Sequence, residues 1–126
     1  MVDIREQSPL SMAFVGDAVY SLLIREYLVK HKRYNINRLN RITVKYVSAK
    51  GQFAALELIN DILTEEEHAV AKRGQNSSKA TVAKHATAQE YRASTGFECL
   101  LGWLKLTGQE ERIEYIVNYI LENLQF

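Results

Sequence analysis

Proline occurs once in this chain, at Pro9, and only six glycines are spread over its 126 residues. From residue 10 onward the sequence lacks the frequent breakers that a sandwich or barrel of short strands needs at its turns. An all-α fold is therefore expected. Phe14, Val15, Ala18, Val19, Leu22, Leu23, Tyr27 and Leu28 give an apolar face to a helix over about residues 11–30. Its first half is apolar nearly all round, which predicts a central, buried helix. Asn35 caps a short helix running to about Lys45, and Ser48 precedes another over Gln52–Ile62. Thr64 with Glu67, and Thr87 with Glu90, have capping-box spacing and open helices near 65–73 and 88–106. Gly108 is placed to end the second of these in a left-handed conformation. Ile113, Ile116, Val117, Ile120, Leu121 and Leu124 mark a last amphipathic helix. Arg73–Lys79, rich in small polar groups, reads as the one clear loop.

This length suits one domain over residues 1–126, burying roughly two-thirds of the surface its unfolded chain exposes. With 47% hydrophobic and 25% charged residues, the composition is that of a globular protein and excludes a disordered tail. No apolar run reaches the ~18 residues of a membrane span. The N-terminus, with Asp3, Arg5, Glu6 and Gln7, has no secretory apolar region, so a cytoplasmic chain without a membrane partner is expected. The single cysteine, Cys99, lies among apolar neighbours and reads as a small core residue rather than a nucleophile. His68 and His85 have no partners at zinc-ligand spacing.

The net charge of +1 hides a segregation of sign. Between Tyr27 and Leu56 there is no acid, while Lys30, Lys32, Arg33, Arg38, Arg41, Lys45 and Lys50 all fall there. A second acid-free stretch, between His68 and Gln89, carries Lys72, Arg73, Lys79 and Lys84. Such windows are either solvated helix faces or the electrostatic footprint of a nucleic-acid partner. In the Arg73–Lys79 segment, cations, Asn76 and hydroxyls together suit a phosphate backbone; the bland alternative is a plain helix connection.

Two segments far apart each set one carboxylate inside an otherwise apolar stretch: Asp17 in Ala13–Tyr20 and Glu98 in Ser94–Gly102. A lone ionised acid in such company is costly to bury unless a charge, a hydrogen-bond network or a cation compensates it. Asp17 follows Gly16 and stands one turn from Ala13 and Ser21, a face small enough to admit a second helix or a hydrated ion. Glu98 has Ser94, Thr95 and Gly102 around it. Brought together, the pair would attract a divalent metal. A helix cap or a buried salt bridge to an arginine such as Arg25 or Arg92 for Asp17, and a polar-face position for Glu98, are the structural alternatives.

Phe14-Val15-Gly16-Asp17-Ala18-Val19 resembles the signature of the ribonuclease III catalytic domain, and Phe97-Glu98-Cys99-Leu100-Leu101-Gly102 resembles that family's second acidic motif. Tyr46–Lys50, Arg73-Gly74, Asn76 and Tyr91–Glu98 are similar to landmarks of its bacterial Mini-ribonuclease III branch, the catalytic domain without a double-stranded-RNA-binding domain. The resemblance implies a helical, homodimeric endonuclease domain that cuts double-stranded RNA with Mg²⁺. Asp17 and Glu98 match its catalytic, metal-holding acids, and the branch's substrate is precursor large-subunit (23S) ribosomal RNA, with a ribosomal protein or pre-ribosomal particle as a partner. Arg73, Asn76, Lys79, Lys84 and His85 are the expected RNA contacts, with Lys79 and Lys84 foremost. The apolar first helix and the Phe97–Leu104 run supply the surface expected for dimerisation. The chain departs from the full-length pattern at Leu10, Ala13 and Thr95, where that pattern has acids. This reduction belongs to the branch, and it also keeps a second reading open, a non-catalytic RNA- or ribosome-binding module. A helix-turn-helix DNA regulator would leave the two acids unexplained.

Overall fold

The computed structural model describes residues 1–79, 86–124 and 126, and among these there is no strand. A short 3-10 turn, Ile4–Glu6, leads into α1 (Pro9–His31), α2 (Ile36–Val47), α3 (Ala49–Ile59), a second 3-10 turn (Asn60–Ile62), α4 (Glu65–Ser77), α5 (Ala88–Leu106) and α6 (Glu110–Asn123). The caps do what the sequence asks of them. Asn35 accepts from the Arg38 N–H, Ser48 from Gly51, Thr64 from Glu67 and Thr87 from Glu90, and both capping boxes close reciprocally. Gly108 has φ 75°, and the Gly108 and Gln109 N–H groups donate to the Lys105 and Leu104 carbonyls, a Schellman ending for α5.

The central helix is α5, not α1. Residues 93–97 and 99–102 of α5 are all buried, and α1, α3, α4 and α6 pack around it. Tyr20, Ile24 and Leu28 of α1 face that core, with Tyr20 edge-on to Phe97 at 4.7 Å between ring centroids. The opposite side of α1 leaves Phe14 83% and Leu22 58% exposed, so its all-round apolar character is not consumed within one chain. The Phe97–Leu104 run, in contrast, is spent on the internal core: Phe97, Leu100, Leu101 and Leu104 are fully buried and offer nothing to a partner.

The expected loop at Arg73–Lys79 is a helix as far as Ser77. Gly74 does not break α4; it packs it. A Cβ there would come within 2.6 Å of the Cys99 Cβ and 2.9 Å of the Gly96 Cα, so the glycine allows α4 to lie directly on α5. Tertiary contact overrides local propensity here. No helix among the described residues is long and apolar enough to cross a membrane.

Candidate active site

The site is made by a backbone-to-backbone crossing of α1 and α5. A Cβ on Gly16 would fall 1.7 Å from the Glu98 carbonyl oxygen, and one on Gly102 would fall 1.7 Å from the Met12 carbonyl oxygen. Only glycine at both positions permits this approach. Because Asp17 is the next residue after Gly16, and Glu98 lies one turn before Gly102, the crossing that needs the glycines also brings the two carboxyl groups within hydrogen-bonding reach of each other. The acids predicted from sequence therefore meet.

Their environments differ. Asp17 is exposed, whereas Glu98 is half-buried. Burial above all, then the hydrogen bond and charge of Asp17, push the Glu98 carboxyl up to about 8, and the Gln52 amide pulls the other way. Gln52 Nε2 stands 3.4 Å from Glu98 Oε2 and donates at 3.0 Å to the Val47 carbonyl. Neither structural alternative for Asp17 holds: it lies in the middle of α1, which Ser8 and Lys32 cap, Arg25 instead donates to the Ser21 hydroxyl, and neither arginine forms an ion pair with it. Glu98 is no polar-face residue.

The positions where the full-length pattern has further acids are neutral and otherwise engaged. Leu10 is exposed, and Ala13 packs with Met12, Val70 and Cys99. The Thr95 hydroxyl is buried, donating to the Tyr91 carbonyl at 3.1 Å and sharing a hydrogen bond with the Ser78 hydroxyl at 3.3 Å, which ties α5 to the end of α4. Among the described residues no cluster of three or more His, Cys, Asp or Glu could hold a metal. The donor set is thus two carboxylates, all oxygen and open to water on the Asp17 side. That is the kind of partial shell a hard, hydrated cation such as Mg²⁺ accepts, with waters and substrate phosphate completing it.

Of the predicted RNA contacts, Arg73 and Asn76 lie exposed on the last turns of α4 and Lys79 is exposed just beyond. Gly74 holds that end of α4 against Thr95, one turn along α5 from Glu98. Lys84 and His85 lie outside the described residues. Cys99 is fully buried and burial pushes its thiol up to about 11, so it is a core residue. Sequence reasoning missed Gln52. It is only 1% exposed, and nothing in its neighbourhood along the chain distinguishes it from a surface glutamine.

A cavity of about 560 Å³ between α3 and α4, lined by residues including Glu57, His68 and Lys72, touches neither acid. Asp17 instead borders a groove of about 510 Å³ along the outward side of α1, where Phe14, Ala18, Leu22 and Ile113 supply apolar walls.

Residues 10–109 match the family model described as the Ribonuclease III domain. A Mini-ribonuclease 3 from Enterococcus faecalis is 42% identical, over 98% of this chain and 96% of the relative. Another from a Thermoanaerobacter species is 45% identical over 94% and 83% respectively. A crystal structure of a protein from Fusobacterium nucleatum superposes with a TM-score of 0.86 at 34% identity, covering 99% of this chain and 100% of that one.

Proposed function

The chain belongs to the ribonuclease III domain family and is an endoribonuclease, and on that premise we propose that it cuts double-stranded RNA with the help of Mg²⁺ held by Asp17 and Glu98. The observation that carries this reading is the meeting of the two carboxyls at the Gly16–Gly102 crossing. When bound, the ion supplies an activated water and neutralises charge developing on the phosphodiester. Asp17, exposed, faces the arriving RNA; Glu98, drawn into the helix interface, anchors the pair to the scaffold. No side-chain nucleophile is needed, in keeping with the burial of Cys99. The products are a 5′-phosphate and a 3′-hydroxyl.

Arg73, Asn76 and Lys79, with Lys84 and His85 further along the chain, hold the duplex by its backbone, since A-form RNA hides its base edges in a deep, narrow groove. The natural substrate is precursor 23S ribosomal RNA, met in the cytoplasm with a ribosomal protein or within a pre-ribosomal particle. The enzyme works as a homodimer. Support for that comes from α1, whose exposed Phe14 stands beside an apolar groove on the same surface, a self-complementary arrangement of the kind a two-fold interface uses.

The test is incubation of the purified protein with duplex RNA, including a stem from the ribosomal precursor, with Mg²⁺ or with a chelator, beside Asp17→Asn. Cleavage is expected with Mg²⁺ and the wild-type chain alone. Cutting that survives Asp17→Asn removes Asp17 from the chemistry, and cutting that survives the chelator removes the metal.

A further inference from the structure

We propose that Gln52 is a positioning residue that fixes the rotamer of Glu98 for cation binding and RNA cleavage. The inference rests on the reading of Asp17 and Glu98 as the cation-holding pair and assigns what holds the buried member in place. Gln52 lies in the first turns of α3, where its own position is tightly set. The preceding Gly51 would place a Cβ 2.0 Å from the Lys45 carbonyl oxygen, so α3 starts hard against the end of α2, and Ser48 caps it by accepting from the Gly51 N–H at 3.1 Å.

The orientation of the amide follows from its neighbours. The Val47 carbonyl can only accept, so one Nε2 hydrogen must face it at 3.0 Å, and the other then lies toward Glu98 Oε2. Turning the amide over would set its oxygen against two other oxygens. That leaves Gln52 Oε1 buried and, among the described residues, without a hydrogen-bond partner. A residue wanted only to fill this space, or only to bridge to the Val47 carbonyl, need not carry an unpaired buried oxygen. Here the second N–H, the one aimed at Glu98, is what the side chain contributes. By engaging Oε2 it limits the turning of the Glu98 carboxyl beside Asp17. The contact is long at 3.4 Å. Hydrogen bonds at catalytic sites are commonly loose before the productive complex forms and tighten within it.

Groups that orient a metal's carboxylate ligands typically change its affinity by 10–100-fold when removed. The experiment titrates Mn²⁺ calorimetrically into the RNA-free wild-type protein, Gln52→Met, Glu98→Gln and the double variant. Alongside, kcat and KM for a duplex RNA and the melting temperature are measured. Gln52→Met, of similar length and without a donor, is expected to weaken Mn²⁺ binding about 10–100-fold and to lower kcat while KM stays put. In the Glu98→Gln background it should change Mn²⁺ affinity no further. Gln52→Asn, too short to reach both acceptors, is read in its place if the Met variant does not fold, with the same expectation. Wild-type Mn²⁺ affinity and kcat in the variants, with only the melting temperature moved, confine the amide to bracing the Val47 turn and overturn this proposal alone. A wild-type protein that neither binds Mn²⁺ nor cuts RNA overturns the reading beneath it as well.

Discussion

A half-buried carboxyl facing a second carboxyl is easier to hold protonated than charged, and this sets the pH behaviour of the empty site. The Glu98 carboxyl moves from 4.5 to about 8 on folding, so across that window the folded chain binds more protons than the unfolded one. The contribution of Glu98 to the stability of the metal-free protein is therefore fullest below 4.5, falls as pH rises through the window, and levels off above about 8. Glu98→Gln removes the charge from the problem. It is expected to stabilise the metal-free protein by about 2 kcal/mol or more at pH 8.5 and by little at pH 5, while abolishing cleavage. Urea unfolding in chelator at the two pH values checks it, and equal gains at both would remove Glu98 as the source. The acids were legible in the sequence because an isolated carboxylate in an apolar run violates the ordinary pattern and has few explanations. Gln52 was not legible. A glutamine early in a helix is unremarkable until α3 is laid against α5 and its amide is found between two acceptors.

Among the helices, the crossing of α1 and α5 converts a packing rule into a site. Gly16→Ala improves local helix propensity, yet its Cβ would strike the Glu98 backbone oxygen, which cannot rotate away. The expected result is a loss of about 3 kcal/mol and a cleavage defect larger than the stability loss explains, because the shift separates Asp17 from Glu98. Chemical denaturation and single-turnover kinetics measure the two effects. A second long-range tie holds α6 to α4. Arg112 donates from Nε and from Nη2 at 2.8 Å each to the buried Glu67 carboxylate, and its Nη2 also reaches the Ile62 carbonyl at 2.7 Å. Burial alone would raise the Glu67 carboxyl, but Arg112 and the Thr64 N–H overcome it and hold the group below its usual value. Arg112→Ala strands that charge and should cost about 3–5 kcal/mol, read by thermal or urea unfolding; a cost under 1 kcal/mol would mean Thr64 suffices. Helix boundaries were readable from Asn35, Ser48, Thr64, Thr87 and Gly108 because caps act over three or four residues. The Glu67–Arg112 pair and the packing role of Gly74 were not, since each depends on a partner at least 20 residues away along the chain.

For the whole molecule, the unresolved balance is on the outward side of α1. Leu10, Phe14 and Leu22 are all exposed there, and Phe14 at 83% exposure is a poor choice for a monomer's surface. Contiguous exposed apolar surface of this kind marks an interface, and a stable one removes about 1,200–2,000 Å² from water in total. With the α5 apolar run buried internally, α1 is the part of the originally expected dimer surface that remains available. Asp17 lies on the rim of the same groove, so a second copy docked there would stand next to the acid pair. Phe14→Glu places a charge at the middle of that surface without touching the internal core. It is expected to give a chain with unchanged helical circular dichroism that sediments at half the mass of the wild type. Its duplex cleavage should fall in step with the monomer fraction and recover as protein concentration rises. A Phe14→Glu protein that remains dimeric moves the interface away from α1, and a monomer that cuts at the full wild-type rate separates assembly from catalysis.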